Sequence, residues 1–492
     1  MMQLARPSAP ATQLISYWNE SRLDADQAKS ASVRPAPGIV PWRTAVEDVL
    51  KVGYGLQSQS RFVAGAWERV RWRTSPSAGA LYPFEVIACV VGEGTYLWDI
   101  EKGRLVPSSL ASLGREDLAS AGLTTAPGHH LDALLVLVAR PWLSMKKYHL
   151  RGYGYCHLDV GHVAANLATY TAALGLSPTL HLRFSRRFLA ERLRLDGLCR
   201  EPLAVLSFAS SRPGLATGPE AETGVKPAGL ERPDANEAES WETLQGVLSF
   251  DSALEPPSPP AGAPLVVEPE ADSATLVPLP EGRCQPSNAK EWRSAILARR
   301  SAKGFRREPL NAAQVGELLG ALRADSLPED CLADGALGLG VRLVARNVEG
   351  LAGVYAYDPT SHGLRRVASQ SEDPRPACMQ QELAGNAAAL VIFHAPVFRL
   401  LDRFGYSAFT ELHFHAAQLG QRLHLAAARL DNVGITCIGG FDGLRCADLA
   451  RLDPDGETVY VVLLGVPDEA AFKHDRLGIA FSHGHTTTLD QR

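Results

Sequence analysis

The sequence predicts an α+β protein made of two tandem copies of one unit, packed on each other as an intramolecular pseudo-dimer. Three observations predict it. Short apolar runs of strand length alternate with longer stretches at helical spacing. The order of these elements before residue 210 recurs after residue 287, at a period far longer than any solenoid repeat. Between them, 211–286 is rich in Pro, Ala, Gly and Glu, as in Glu255-Pro256-Pro257-Ser258-Pro259-Pro260. A structureless stretch of that length reads as a linker and not as a loop inside one domain. The chain therefore divides into an N-terminal arm (1–40), a first copy (41–210), the linker (211–286) and a second copy (287–492).

The elements of the first copy follow in order. Val46, Val49, Leu50 and Val52 lie near helical spacing, so 42–54 reads as a helix ending near Gly55. Val86 to Val91 is an apolar run that reads as a buried strand. Gly94 to Asp99 and Gly103 to Leu105 form a hairpin, Leu134 to Ala139 a buried strand, Leu158 to Leu174 a long helix rich in small residues, and Pro202 to Ala209 another strand. The linker carries one short amphipathic piece, 241–250.

The second copy repeats the order. A helix covers 289–299, and Asn311 with Gln314 forms an N-cap and box partner for a helix running to Leu322. Val341 to Ala345 is a strand. Gly353 to Asp358 with Gly363 to Arg365 matches the earlier hairpin. Ala389 to Phe393, Phe414 to Leu430 and Val459 to Leu464 match the strand, long helix and last strand of the first copy.

Composition narrows the function classes. The chain has 492 residues, 46% apolar and 21% charged, which suits a folded protein with real cores. A net charge of −5 without a basic block gives no case for nucleic acid. There is no apolar run long enough to span a membrane and no signal peptide in 1–13. Eight scattered cysteines without a Cys-x-x-Cys pair point to free thiols in a reducing, cytoplasmic compartment.

The stretch that organises the chain is Arg73-Thr74-Ser75-Pro76-Ser77-Ala78-Gly79-Ala80-Leu81-Tyr82-Pro83. A loop of small residues ahead of a buried strand lets backbone N–H groups and hydroxyls approach a flat or anionic ligand. Residue types alone also fit a plain surface turn.

With the hairpin that follows, Ser75 to Pro83 resembles the nitroreductase superfamily, and more narrowly its SagB-type, McbC-like dehydrogenases. Lys147-Tyr148-His149-Leu150-Arg151-Gly152-Tyr153, leading into Leu158-Asp159, Gly161-His162 and Asn166-Leu167, fits the same family, as does Arg299-Arg300-Ser301-Ala302-Lys303-Gly304-Phe305. The resemblance covers both copies and implies two tandem nitroreductase-like, FMN-binding domains with FMN between them. It implies that Arg299, Ser301 and Lys303 hold the phosphate and ribityl side, and that Ser75, Pro76, Ser77, Ala78 and Gly79 lie beside the isoalloxazine. Gly439 and Gly440 would line the flavin with their backbone, and Lys473 and Arg476 would close the phosphate end. Lys147 and Tyr148 would serve the proton step. The relatives nearest this pattern oxidise thiazolines and oxazolines to thiazoles and oxazoles in peptides or carrier-bound chains. Ala78 and Ala165 depart from it, standing where glycine and glutamine are more usual.

The duplication sharpens this expectation. Arg403-Phe404 stands where the first copy has Lys147-Tyr148, and phenylalanine has no ionisable hydroxyl. The counterpart of the Ser75 loop, near 332–340, lacks the Ser-Pro-Ser element, and the counterpart of the Gly439 loop, near Ser177-Pro178-Thr179, is divergent. The first copy lacks an Arg-x-Ser-x-Lys segment; Asn19-Glu20-Ser21-Arg22 is the nearest remnant. One composite site and one decayed site per chain follow.

The chemistry is direct. Arg299 can hold a phosphate dianion bidentately and Lys303 adds a point charge, although Arg299-Arg300 also reads as a solvated helix end. A tyrosine ionises near pH 10, about three units too high for a base at neutral pH, and a neighbouring ammonium lowers that value. Adjacent residues on a helix do not face each other, so the Lys147–Tyr148 pairing requires an irregular segment, which Gly152 and Gly154 allow. Lys146 could replace Lys147. His157, His162, His413 and His415 lack metal spacing and read as core or interface residues, with no metal expected.

The reading is an FMN-dependent dehydrogenase acting on azolines, with oxygen as reoxidant. Expected partners are an azoline-bearing peptide or carrier-bound chain, biosynthetic partner proteins, and a second copy of the chain. Two alternatives stand beside it: an NAD(P)H-dependent nitro or quinone reductase, and a catalytically decayed binding subunit of a biosynthetic complex.

Overall fold

A computed structural model describes residues 42–63, 66–91, 94–123, 130–195, 200–210, 276–281, 286–323 and 339–471. The arm, most of the expected linker with its 241–250 piece, the 19–22 remnant, most of 332–340, and Lys473 and Arg476 lie outside the described residues.

The first half contains α1 (Trp42–Gly53), β1 (Leu56–Val63), β2 (Ala66–Arg73), β3 (Phe84–Val90), β4 (Gly94–Asp99), β5 (Arg104–Pro107), α2 (Arg115–Ser120), β6 (His130–Ala139), α3 (Pro141–Tyr148), α4 (Arg151–Ala173), β7 (Ser177–His181), α5 (Arg186–Arg192) and β8 (Glu201–Ser210). The second half contains β9 (Leu276–Pro278), α6 (Ala289–Ala298), β10 (Phe305–Arg306), α7 (Ala312–Gly320), β11 (Gly340–Val348), β12 (Leu351–Asp358), β13 (Gly363–Ala368), α8 (Glu382–Asn386), β14 (Ala389–Ala395), α9 (Val397–Phe404), α10 (Tyr406–Ala427), β15 (Gly434–Ile438), α11 (Gly443–Ala450) and β16 (Glu457–Pro467).

The halves repeat one antiparallel topology. The first sheet runs β7-β8-β6-β3-β4-β5; in the second, β15-β16-β14-β11-β12-β13 follows the same order. The central strands β6 and β14 are continuous apolar runs because helices cover both faces of each sheet. On one face of the first sheet, Leu135 and Leu137 pack with α1 and α4; on the other, Leu134 and Val136 pack with α2 and α5.

The structure differs from the sequence reading in several elements. Leu276–Pro278, placed there in the linker, is the edge strand β9: it pairs with β13, and Leu276 covers Gly363, which has no side chain to shield itself. The hairpin β1–β2 was not foreseen. The long helices start earlier than expected, at Arg151 and Tyr406, and each follows a shorter helix across a sharp break. The break sits at His149 (φ 51°, ψ −142°) and Gly405 (φ 57°, ψ −138°). Glycine adopts that backbone freely and histidine does not. The irregularity needed beside Tyr148 is therefore at His149–Leu150. Gly152 and Gly154 lie inside α4, where a Cβ on Gly152 would come within 2.6 Å of the Ser144 carbonyl carbon. The Asn311–Gln314 box forms as expected at the start of α7.

The long helices α4 and α10 join the halves. Gly161 lets them touch: a Cβ there would lie 2.7 Å from Ala417 Cβ. Each half also lends residues to the other's core, Phe414 and Leu425 in one direction and Tyr155 and Leu158 in the other. A buried polar chain crosses the joint. Asn166 Nδ2 donates to the carbonyls of Gly53 and Thr74 (3.1 and 3.2 Å), and Gln421 Nε2 donates to Asn166 Oδ1 (2.7 Å). His162 bridges Gln421 and Tyr460, its ring held neutral because burial pushes its pKa down to about 3. His157 packs against Tyr406, Phe409 and His413. These histidines belong to the interface, and among the described residues no three His, Cys, Asp or Glu side chains gather as a metal would need. Among the described residues, no helix is long and apolar enough to cross a membrane.

Candidate active site

The turn after β2 is held from both halves. Thr74 exchanges backbone and side-chain hydrogen bonds with Gly55. From the second half, Arg299 Nε donates to Thr74 O (2.7 Å) and Nη2 donates to Arg73 O (2.8 Å). Ser77 Oγ accepts from Tyr82 N (2.8 Å) and donates to Asp159 of α4, whose other oxygen accepts from Ala78 N (3.1 Å). Gly79 then takes φ +63°, and the chain turns through a single 3-10 turn into β3.

These contacts place the loop against one cleft of about 570 Å³. Ser75, Pro76, Ser77 and Gly79 line it from the first half, and Arg299, Ser301 and Lys303 from the second. Both expected segments thus share one cavity. Arg71, Trp72, Arg300 and His424 also line it and were not singled out from the sequence. The exposed cations Arg300 and Lys303 make the end near Ser301 suited to an anion.

Arg299 corrects the sequence reading. It is buried, and its guanidinium is committed to the Arg73 and Thr74 carbonyls and to Ser301 Oγ (3.2 Å). Burial lowers its pKa to about 10, which keeps it charged at neutral pH. It ties the loop of one half to the clamp segment of the other, and is not a free bidentate phosphate clamp.

Lys147 and Tyr148 end α3 against the same loop. A Cβ on Gly79 would overlap Tyr148 Oη and sit 3.1 Å from Lys147 Nζ, so only glycine leaves room for this pair. Lys147 Nζ is 5.3 Å from the centre of the Tyr148 ring. Tyr148 meets Tyr155 edge-on at 5.0 Å, and Tyr155 presses on Gly439, where a Cβ would lie 2.7 Å from its ring. Gly439 and Gly440 therefore stand beyond Tyr155, outside the lining of the 570 Å³ cavity. Gln381 fixes Gly440 O (3.1 Å).

Asp159 is a buried carboxyl group at the loop. Burial raises its pKa to about 8, against the hydrogen bonds from Ser77 and Ala78 that oppose the shift. The unfolded chain ionises this group near pH 4. Between roughly pH 4 and 8 the folded protein keeps a proton that the unfolded chain has lost. The stability tied to that proton is full below about pH 4 and is lost as pH rises through about 8. Replacing Asp159 by Asn is expected to flatten this slope, read as the difference in urea-unfolding free energy between the two proteins near pH 5 and near pH 8.5. A constant difference would show that Asp159 is ionised throughout.

The equivalent place in the other orientation is built differently. β7 corresponds to β15, so the counterpart of Gly439-Gly440 is Leu182-Arg183, not Ser177-Pro178-Thr179. Aligning Tyr148 with Phe404 pairs Tyr155 with Glu411. Arg183 and Glu411 form a bidentate ion pair there, with Nη2 to Oε2 at 2.8 Å. A charged pair fills the space that glycine and tyrosine shape on the other side.

No protein-family model matches the chain. A relative from Methanocaldococcus jannaschii, named as a candidate nitroreductase, is 34% identical over 117 residues. The match covers 23% of this chain and 59% of the relative's length. A crystal structure of a candidate nitroreductase from Anabaena variabilis superposes with a TM-score of 0.68 at 21% identity, over 93% of this chain and 99% of that one. The chain has the nitroreductase fold, in a two-unit arrangement shared along nearly its whole length.

Proposed function

We propose that this nitroreductase-fold chain is an FMN-dependent oxidoreductase that converts thiazoline or oxazoline rings to thiazoles or oxazoles in a peptide or carrier-bound chain. The observation that carries the reading is the cleft where Ser75, Pro76, Ser77 and Gly79 of one half face Ser301 and Lys303 of the other, with Lys147 and Tyr148 packed on Gly79 and Ala78 turned to the core.

The cleft suits FMN. Ser75 Oγ and Trp72 Nε1 are buried there without hydrogen-bond partners, and such groups are costly unless a ligand completes them. Ser301 and Lys303 would hold the phosphate, and the loop backbone would flank the ring. When bound, FMN supplies the hydride acceptor. Aromatising an azoline also removes a proton, and Tyr148 takes it, with the Lys147 ammonium favouring the phenolate form. Gly79 sets the distance between that hydroxyl and the loop. Tyr155 and Gly439 wall the far side.

The test is an absorbance spectrum of the purified protein with flavin quantified, then anaerobic mixing with a 2-phenylthiazoline. One FMN per chain and bleaching of the flavin band by the thiazoline are expected. Two FMN per chain would sink the single-site reading. The relatives' names favour a second reading, an NAD(P)H-dependent nitro or quinone reductase. Fast bleaching by NADPH and none by the thiazoline would replace the first reading with it.

A further inference from the structure

Arg151 opens α4 three residues after Tyr148 and one helical turn before Tyr155. It is exposed, and its guanidinium lies over the ring of Phe441 at 4.7 Å. Among the described residues it donates no hydrogen bond and forms no ion pair. Stacking on an aromatic face leaves the edge of a guanidinium open, with paired N–H groups that match a carboxylate. Phe441 is two residues beyond Gly439, which touches Tyr155, which in turn touches Tyr148. The cation therefore stands on the Tyr155–Gly439 side of the proposed reaction site.

The duplicated half supplies a comparison inside the same chain. Its aromatic platform is kept, as Phe184 in place of Phe441. The position of Arg151 is Ser407, that of Tyr155 is Glu411 and that of Tyr148 is Phe404. Phe184 also has a guanidinium over it, that of Arg186 at 6.0 Å, but Arg186 is buried and ion-paired with Glu201 at 2.9 Å, whereas the cation over Phe441 is exposed and lies on the side that has the Tyr148 hydroxyl and the glycine loop. A general solubilising charge has no reason to follow that division.

We propose that Arg151 is the specificity-determining residue of the site: it binds a carboxylate carried beside the ring that reacts at Tyr148. The carboxylate is either attached to the azoline ring itself or borne by an acidic residue next to it in the chain. The inference rests on the site proposed above. Arg445, four residues beyond Phe441 in the chain, is drawn to Asp442 at 3.5 Å.

Calorimetric titration of the full-length protein tests this with product-like probes, independently of turnover. The probes are 2-phenylthiazole-4-carboxylate, its carboxamide, and the carboxamide of aspartate on the same ring. Wild type is expected to bind at least one acid roughly 10- to 100-fold more tightly than the carboxamide, the range of a charge-assisted bidentate pair. Which acid gains the margin tells ring carboxylate from acidic neighbour. Arg151→Met keeps an apolar stem on Phe441 and should erase the margin without weakening the carboxamide. Arg151→Lys should restore part of it, and Arg445→Met should leave it intact. Equal binding of acids and carboxamide by wild type, or a margin that survives Arg151→Met, overturns the proposal. An Arg151-dependent margin in a protein that does not oxidise the matching thiazolines keeps Arg151 as the carboxylate site and removes the azoline reading.

Discussion

Tyr148→Phe is expected to keep a full complement of flavin and to lose azoline oxidation by a factor of roughly 10²–10⁴, the range for removing a positioned acid–base group. The substitution deletes one oxygen and leaves the ring in its edge contact with Tyr155. The fold accepts phenylalanine at this place, because Phe404 ends α9 in the same way on the other side. Loss of stability therefore does not explain a loss of turnover. Flavin content and single-turnover bleaching by a thiazoline, measured on one preparation, separate the two. Unchanged bleaching would remove Tyr148 from the proton step.

Arg299→Ala should act on the joint between the halves as well as on the cofactor. It leaves the Arg73 carbonyl without its guanidinium partner and the Thr74 carbonyl with Asn166 alone. Hydrogen bonds from a charged donor are each worth about 1.5–3 kcal/mol, so a loss of about 3 kcal/mol is expected. The Ser75–Gly79 loop hangs from those carbonyls, so flavin occupancy should fall with it. Arg403→Ala is the control. Arg403 is exposed on α9, and its replacement should stay within about 0.5 kcal/mol and leave flavin bound. Urea unfolding and flavin content measure both. Equal effects of the two substitutions would sink the idea of one working site.

The duplicated order of elements was legible because its central strands are unbroken apolar runs and its long helices are dense in small residues. What escaped was short, or patterned by contacts between distant parts. β7 and β15 have five residues each, with Pro178 and Gly434 among them, and neither holds a strand pattern long enough to read. The Ser75 loop and the Arg299 segment were legible through motif. Trp72 and His424 were not, and Asp159 stood in a motif without a role, because only the folded chain brings these residues to the loop or the cleft. Arg299 was misjudged for the same reason. Its residue type suggests a phosphate, whereas its burial and partners follow from two carbonyls in the opposite half that need donors.

The crossing of α4 and α10 places both walls of the cleft in one covalent chain. Site assembly is then a first-order event. A nitroreductase-fold site shared by two separate subunits falls apart by mass action once it is diluted below their dissociation constant, whereas here the local concentration of one half around the other is fixed by the tether. Activity per chain should hold as the protein is taken to low abundance. Each substitution also enters the joint once instead of twice. That is how one side came to carry the Arg183–Glu411 ion pair while the other kept Tyr155 against Gly439.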